Sequence, residues 1–344
     1  MDFGLSEDQE MLRHGAREFL SRECPPARVR EAFESSDGLC DPLDRQMATM
    51  GWNGILVPES CGGLGLAALD AAVILIELGA AAVPGPFLFS AVLATSLLRA
   101  AGTARQKKAW LPRLARGEAT AALAWLEESD RLDPEGVGAR ARRRGSRYLL
   151  TGTKLFVPYA RTADLLVAPF RTGAGGDGVT FFLIPLDAPG ISTRPLDVID
   201  RTRRFFEVDF RSTEIPVENV LGDVGGGARL LERLVDLGAV ALAADGLGGS
   251  EKVLEMAVAY AKTREQFGKP IASFQAMKHM AAEMVAEIEP ARSLVWYAAH
   301  ALDARPREAS RAASMAKARL SDVYARSAGR SVQMHGGIGF TWEH

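Results

Sequence analysis

The sequence predicts an α+β protein of several domains, in the order helical, β, helical bundle, and three observations carry that prediction. Apolar residues recur at helical spacing up to about residue 118 and again from about Ala228 onward. Between them the spacing shifts to strand-like alternation punctuated by Gly, Pro and Asp, which predicts a small β-barrel or sandwich. At 344 residues the chain is also longer than most single cores. The predicted domains span 1–118, 119–223 and 224–344.

Composition narrows the function classes. A net charge of -2 offers no electrostatic reason to expect a nucleic acid or an anionic membrane as partner. The three cysteines, Cys24, Cys40 and Cys61, have no CxxC spacing. A disulfide framework or cysteine-based zinc site is therefore not expected, which matches a reducing cytoplasm. None of the five histidines has a metal-ligand spacing, so no metal is expected. The acidic start, Met1 to Asp8, is opposite in charge to a secretory leader. The apolar run from Leu64 to Leu98 is interrupted by Asp70, Glu77, Pro84 and Pro86, and reads as buried helices rather than a membrane span.

Each element has its own signal. Ser6 with Asp8 and Gln9 marks a helix start, and Met11, Leu12, Ala16, Phe19 and Leu20 form its expected buried stripe. Pro58 to Gly65 breaks the period with Gly62, Gly63 and Gly65, either to let backbone approach something closely or as a flexible turn. Leu69, Val73, Leu75, Ile76 and Leu78 resume helical burial. Val137, Ala139 and Ala141 alternate with Gly138, Arg140 and Arg142 before a turn at Gly145-Ser146 into Tyr148, a hairpin with one wet face. Further strands are expected at 165–167, 179–184 and 206–210. Phe274, Met277, Met280, Met284, Ile288 and Val295 predict a long helix kinked at Pro290, and Met315, Leu320, Val323 and Tyr324 predict another.

The segment Thr263 to Ile271, followed by Ser273-Phe274-Gln275, ends one long helix, turns at Gly268 and Pro270, and starts the next. Arg264, Phe267 and Gln275 are expected at one corner. A guanidinium, a ring and an amide there suit a large, flat, phosphate-bearing ligand. The plainer alternative is that Lys262 and Arg264 complement a helix C-terminus capped by Gly268. Gly225 to Gly227 and Gly248-Gly249 lack GxGxxG spacing after a strand, so no dinucleotide-binding βαβ unit is expected.

Five motifs in register resemble the acyl-CoA dehydrogenase family. They are Pro58-Glu59-x-x-Gly62-Gly63-x-Gly65, Gly152-Thr153-Lys154-Leu155-Phe156-Val157, Ile215-Pro216-Val217-Glu218-Asn219-Val220-Leu221-Gly222, Arg264-x-x-Phe267-Gly268, and Gln333-Met334-His335-Gly336-Gly337-Ile338-Gly339-Phe340. The resemblance implies a helical N-terminal domain, a β-barrel or sandwich middle domain and a C-terminal four-helix bundle. It implies FAD as cofactor, an acyl-CoA substrate dehydrogenated between Cα and Cβ, and electrons passed to an electron-transfer flavoprotein, as in fatty acid and other lipid metabolism. Family members are commonly dimers or tetramers in which a neighbouring subunit completes each FAD site, and in some branches the two chains differ.

By the same resemblance Arg264 pairs with the FAD pyrophosphate, with Phe267 and Gln275 beside it. Gln333, Gly336 and Gly337 would contact the adenosine half, although a helix-ending turn also explains the two glycines, and His335 reads as structural. Trp125 and Leu126 stand where the family sets a Thr-Glu-Pro strand end against the flavin. Phe156, Val157 and Pro158 replace its Trp-Ile-Thr, and Pro158 lacks both a hydroxyl and an N–H. One branch carries its catalytic base in a tail beyond Gly-x-Gly-Phe, and this sequence stops at His344. Another carries a Glu-Arg pair at the positions held here by Gly238 and Ala239. Asp245, seven residues on and roughly 10 Å along the axis, becomes the candidate base. A buried polar role for it is the alternative, and Asp236 lies on another face of the helix. A FAD-supporting, non-catalytic subunit and a flavin oxidase or monooxygenase remain rival readings. Acyl selectivity would depend on the helices around Phe87, Phe89 and Leu93.

Overall fold

The computed structural model describes residues 4–344 except Asp37, Cys40, residues 174–177 and the side chain of Asp41, so Met1 to Phe3 and Cys40 lie outside the described residues. Two compact units emerge. One joins residues 1–25, 68–83 and 236–344, and the other joins 26–67 and 84–235.

The first unit is helical. Helix α1 (Glu7–Glu23) starts where the sequence places it: Ser6 Oγ accepts from Gln9 N at 3.2 Å and Gln9 Oε1 accepts from Ser6 N at 3.0 Å. Ala16, Phe19 and Leu20 are buried as expected, but Met11 is 65% exposed. At 100° per residue Met11 sits about 130° from the centre of that stripe, too far round to reach the core. Helix α4 (Ala68–Ala80) packs with α1 and with the long helix α8 (Gln275–Ala304), which continues through Pro290 and packs on α9 (Pro306–His335). Helix α7 (Gly227–Thr263) contributes its residues from Asp236 onward. It crosses α4 backbone to backbone. A Cβ on Gly248 would lie 1.7 Å from Ile76 O, and one on Gly79 would lie 2.0 Å from Asp245 O. Nothing larger than hydrogen fits either position. The buried Glu77 carboxylate pairs with the exposed Arg17 at 2.9 Å, and half-buried Glu251 pairs with half-buried Arg292 at 2.9 Å.

The second unit wraps helices around a sheet. Helices α2 (Pro26–Glu34) and α3 (Asp41–Thr49) lead to the Gly-rich loop, where Glu59–Cys61 forms one 3-10 turn. A Cβ on Gly63 would lie 2.2 Å from Val57 O, so the close approach allowed there is to the chain itself. A π-helix, Leu88–Ala94, runs into α5 (Thr95–Ala101) and is followed by α6 (Ala104–Ala115).

Eight strands follow: β1 (Ala121–Leu123), β2 (Arg140–Arg144), β3 (Arg147–Pro158), β4 (Leu165–Arg171), β5 (Val179–Pro185), β6 (Ile191–Leu196), β7 (Phe205–Pro216) and β8 (Val220–Leu221). Their order is β6-β7-β3-β2-β4-β5-β8, with β1 parallel to β4. The predicted β2–β3 hairpin forms with Gly145 at φ 61° and the arginines on its wet face. A single pairing, Arg140 with Arg171, joins β2 to β4, so the sheet falls into two wings. Tyr148 on β3 meets Phe182 on β5, and Phe170 on β4 meets Phe210 on β7, each with ring centroids 5.1 Å apart. Edge-to-face packing between the wings makes this a sandwich core. Among the described residues no helix is long and apolar enough to cross a membrane.

Candidate functional site

In the β unit, five of the predicted contacts come together through one irregularity. Lys154 pairs with Val208 and Val157 with Phe206, so β3 carries one residue more than β7 across this stretch. Such a bulge re-aims a side chain. Phe156 takes φ 49° and is 49% exposed, whereas Val157 and Pro158 turn inward. An aromatic residue held at positive φ with its ring left outside is strained backbone with no core to reward it. Leu155 N donates to Leu126 O at 2.8 Å, which brings the half-buried Trp125 and Leu126 alongside.

Beneath the bulge lies a group the sequence reading left out. Lys154 is fully buried, its Nζ donating to Glu127 Oε1 at 2.6 Å and Pro169 O at 2.7 Å, over the Phe170 ring. Burial lowers its pKa to about 8, against the opposing pull of Glu127. Glu127 also accepts from Gly138 N and Ala139 N, each at 2.9 Å. The carboxylate following Trp125-Leu126 thus ties three segments together. Period-two alternation was the available signal, since Tyr148, Leu150 and Lys154 share the inward face of β3.

Phe156 does not stand alone. Its ring meets Phe205 at 6.3 Å, and Phe205 meets Phe89 at 6.5 Å, both edge to face. Phe89 lies on the π-helix, whose wide turn is filled by Thr95 Oγ1 donating to Ser90 O at 2.9 Å. A cavity of about 560 Å³ in the same unit is bordered by Phe87, Ser90, Thr120 and Asp164, but by neither Phe89 nor Leu93.

In the helical unit the predicted corner is a miniature hairpin. Strands β9 (Glu265–Gln266) and β10 (Lys269–Pro270) pair around Phe267-Gly268, with φ 55° and 75°. Positive φ at both turn residues is the I′ pattern, where Asn or Gly is usual at the first position. Here Phe267 occupies it, 92% exposed, its ring edge to face with Phe274 at 6.1 Å. Arg264 and Gln275 are exposed, and neither side chain has a hydrogen-bond or ion partner among the described residues.

The second predicted cluster is at the end of α9. Gly336 has φ 63° and ψ -138°, a conformation open to glycine almost alone, and its N–H donates to Gln333 O. Gln333 and Gly337 are exposed, and a Cβ on either glycine would meet open space. His335 has partners the sequence did not reveal. It stacks on Tyr260 at 4.6 Å, and its Nδ1 bonds Ser331 O at 2.7 Å. Arg264 N donates to Tyr260 O, so the ends of α7 and α9, with both clusters, are joined through this stack.

The proposed base fares differently. Asp245 is half-buried, and its backbone forms the crossing with Gly79. Asp236 bonds Ser310, and burial raises its pKa. Gly238 is buried and Ala239 half-buried on the same helix.

For FAD, the chemistry of these groups fits. An unpartnered guanidinium, an exposed ring and exposed amides occur at the helix ends, while an aromatic face and apolar backbone occur at the bulge. Comparison with known proteins points the same way. Residues 6–118, 122–207 and 225–344 match the N-terminal, middle and C-terminal domains of acyl-CoA dehydrogenase. An acyl-CoA dehydrogenase of Bacillus subtilis is 32% identical, over 98% of this chain and 89% of that protein. The caffeyl-CoA reductase-Etf complex subunit CarC of Acetobacterium woodii is 31% identical, over 99% and 91%. The solved glutaryl-CoA dehydrogenase of Mycobacterium smegmatis in complex with FADH2 has a TM-score of 0.89 and 26% identity, over 99% of this chain and 87% of that one. This chain belongs to the acyl-CoA dehydrogenase family of flavoprotein oxidoreductases.

Proposed function

We propose that the protein binds FAD and carries out α,β-dehydrogenation of an acyl-CoA thioester, passing electrons to an electron-transfer flavoprotein. The observation that carries this reading is the Phe267-Gly268 hairpin, which holds a ring and the Arg264 guanidinium in solvent at a backbone cost. Arg264 would pair with the pyrophosphate through two parallel bonds, with Phe267 and Gln275 alongside. Gln333 and the backbone at Gly336 and Gly337 would receive the adenosine half. These groups serve the cofactor of a neighbouring subunit in a dimer or tetramer. Trp125, Leu126, Phe156, Val157 and Pro158 would flank the isoalloxazine of the chain's own. The chemistry FAD supplies when bound is a two-electron acceptor for hydride.

The remaining chemistry falls to side chains. Asp245 is the proposed holder of the α proton, and hydrogen bonds aimed at the thioester carbonyl oxygen would stabilise the developing enolate. The proposed location is cytoplasmic, in keeping with the CxxC-free spacing of the three cysteines.

One observation favours a second reading. Glycine and alanine at 238 and 239 leave no carboxylate or guanidinium where a family branch carries Glu-Arg. A FAD-supporting subunit that assembles with an unlike catalytic chain fits that pair of residues. The deciding experiment is the anaerobic absorption spectrum of the purified chain with a panel of acyl-CoAs. A yellow protein that bleaches with one of them supports the enzyme, and Asp245→Asn retaining the full bleaching rate removes Asp245 as base. A colourless chain that takes up flavin only with a second polypeptide supports the subunit reading.

A further inference from the structure

We propose that Tyr260 and His335 are positioning residues for the cofactor. Their stacked rings set the end of α7 against the end of α9, and so hold the Arg264 and Gln333 clusters at the separation that the diphosphate and adenosine of FAD require. This rests on the FAD reading above, which gives those two clusters to that half of the cofactor.

Three contacts tie the two helices in one register. At the first, Tyr324 of α9 lies over Gly246 and Gly249 of α7, and a Cβ on Gly249 would stand 2.7 Å from its ring. At the second, Ser331 Oγ donates to Val253 O at 2.9 Å. At the third, the rings of Tyr260 and His335 stack with an interplanar angle of 27°. Gly249 to Tyr260 and Tyr324 to His335 are both steps of eleven residues. Each step is about three turns and about 16 Å of helix, so the first and last contacts lie on one face of each helix. The helices therefore run parallel here, and neither can slide by a turn without breaking all three contacts.

The stack is the contact nearest both clusters. Arg264 lies four residues beyond Tyr260, and its N–H donates to Tyr260 O at 2.8 Å. Gln333 stands two residues before His335, and Gly336 follows it at φ 63°. His335 is itself fixed. It is buried, and because a carbonyl oxygen only accepts, its Nδ1 donates to Ser331 O at 2.7 Å. That bond sets the ring plane that Tyr260 meets. The Arg264 and Gln333 side chains have no bonding partner among the described residues. Only the helix ends that carry them determine how far apart they stand.

The test strips the flavin from the full chain and titrates the apoprotein with FAD and with FMN, which carries the flavin and one phosphate but no adenosine. Bound flavin is read from its fluorescence. The unaltered protein should bind FAD about a hundredfold tighter than FMN. Tyr260→Leu and His335→Leu should each cut that ratio about tenfold by weakening FAD alone, and Tyr260→Phe, which keeps the ring, should retain it. Equal affinity of the unaltered protein for FAD and FMN overturns the assignment of the two clusters, and the proposal with it. A full ratio in both leucine variants overturns the positioning role and leaves the FAD reading standing. A loss that falls equally on FAD and FMN does the same, because the stack then serves only the fold. Hydrogen exchange of the unaltered protein needs no variant. FAD, but not FMN, should slow exchange at 260–268 and 331–337 together, and protection of one segment without the other overturns the proposal.

Discussion

The bulge at Phe156 and the hairpin at Phe267 both hold an aromatic residue at positive φ with its ring outside, yet they are built in opposite ways. Below the bulge the buried polar groups are tied to one another: Lys154 meets Glu127 and Pro169, and Tyr159 is bonded on three sides, to Gly85, Thr202 and Arg204. Around the hairpin, Arg264 and Gln275 face solvent without a protein partner among the described residues. The first region supplies its own support and offers a shaped surface. The second offers free donors and relies on something else to occupy them. Internal support belongs where a ligand must be held in register, and unpaired groups belong where a second surface arrives.

The sharpest way to break this contrast is to remove support from the bulge. Lys154→Met should cost about 3–5 kcal/mol in urea unfolding, because Glu127 loses its buried counter-charge. A loss under about 1 kcal/mol would show that the pair does not hold the region. At the hairpin the expectation reverses. Arg264→Ala should leave stability within about 0.5 kcal/mol while weakening FAD binding to the apoprotein roughly 10- to 100-fold. Unchanged flavin affinity would take Arg264 out of the site.

Two smaller effects refine the comparison. The Lys154 pKa falls from 10.5 to about 8 on folding, so between those values the unfolded chain holds the extra proton. Stability should therefore rise with pH across that window, by about 1–2 kcal/mol relative to Lys154→Met after allowing for relaxation around the charge. Parallel pH profiles for the two proteins would contradict a depressed lysine. At the hairpin, Phe267→Asn should raise stability by about 0.5–1 kcal/mol, since Asn tolerates the left-handed region, while weakening flavin binding. A fall in melting temperature would mean that Phe267 earns its place by packing against Phe274.

Long-range order was readable from the sequence where period and burial coincide. The capping box at Ser6, the β2–β3 hairpin and the long α8 and α9 follow directly from spacing. What escaped has physical causes. Strand β6, Ile191–Leu196, is an edge strand with no buried residue and containing Pro195, so it lacks an apolar alternation. The π-helix at Leu88–Ala94 has the composition of any buried helix. Strands β9 and β10 are two residues each, and the turn between them uses Phe where Asn is expected. At the candidate site, Arg264, Phe267, Gln275, Gln333 and the glycines were proposed from local motifs, and the fold leaves them exposed. Lys154, Tyr159 and Tyr260 were not, because their roles depend on partners brought in by the fold.

The glycine crossing between α4 and α7 has a consequence for biosynthesis. Helices α1 and α4 leave the ribosome early, but the surface that covers them begins roughly 150 residues later, after the whole β unit. At about 5–20 residues per second, their apolar faces wait on the order of ten to thirty seconds for α7. Helix α4, with Val73 to Leu78 all buried in the finished protein, is thus a segment left open to a chaperone on the nascent chain.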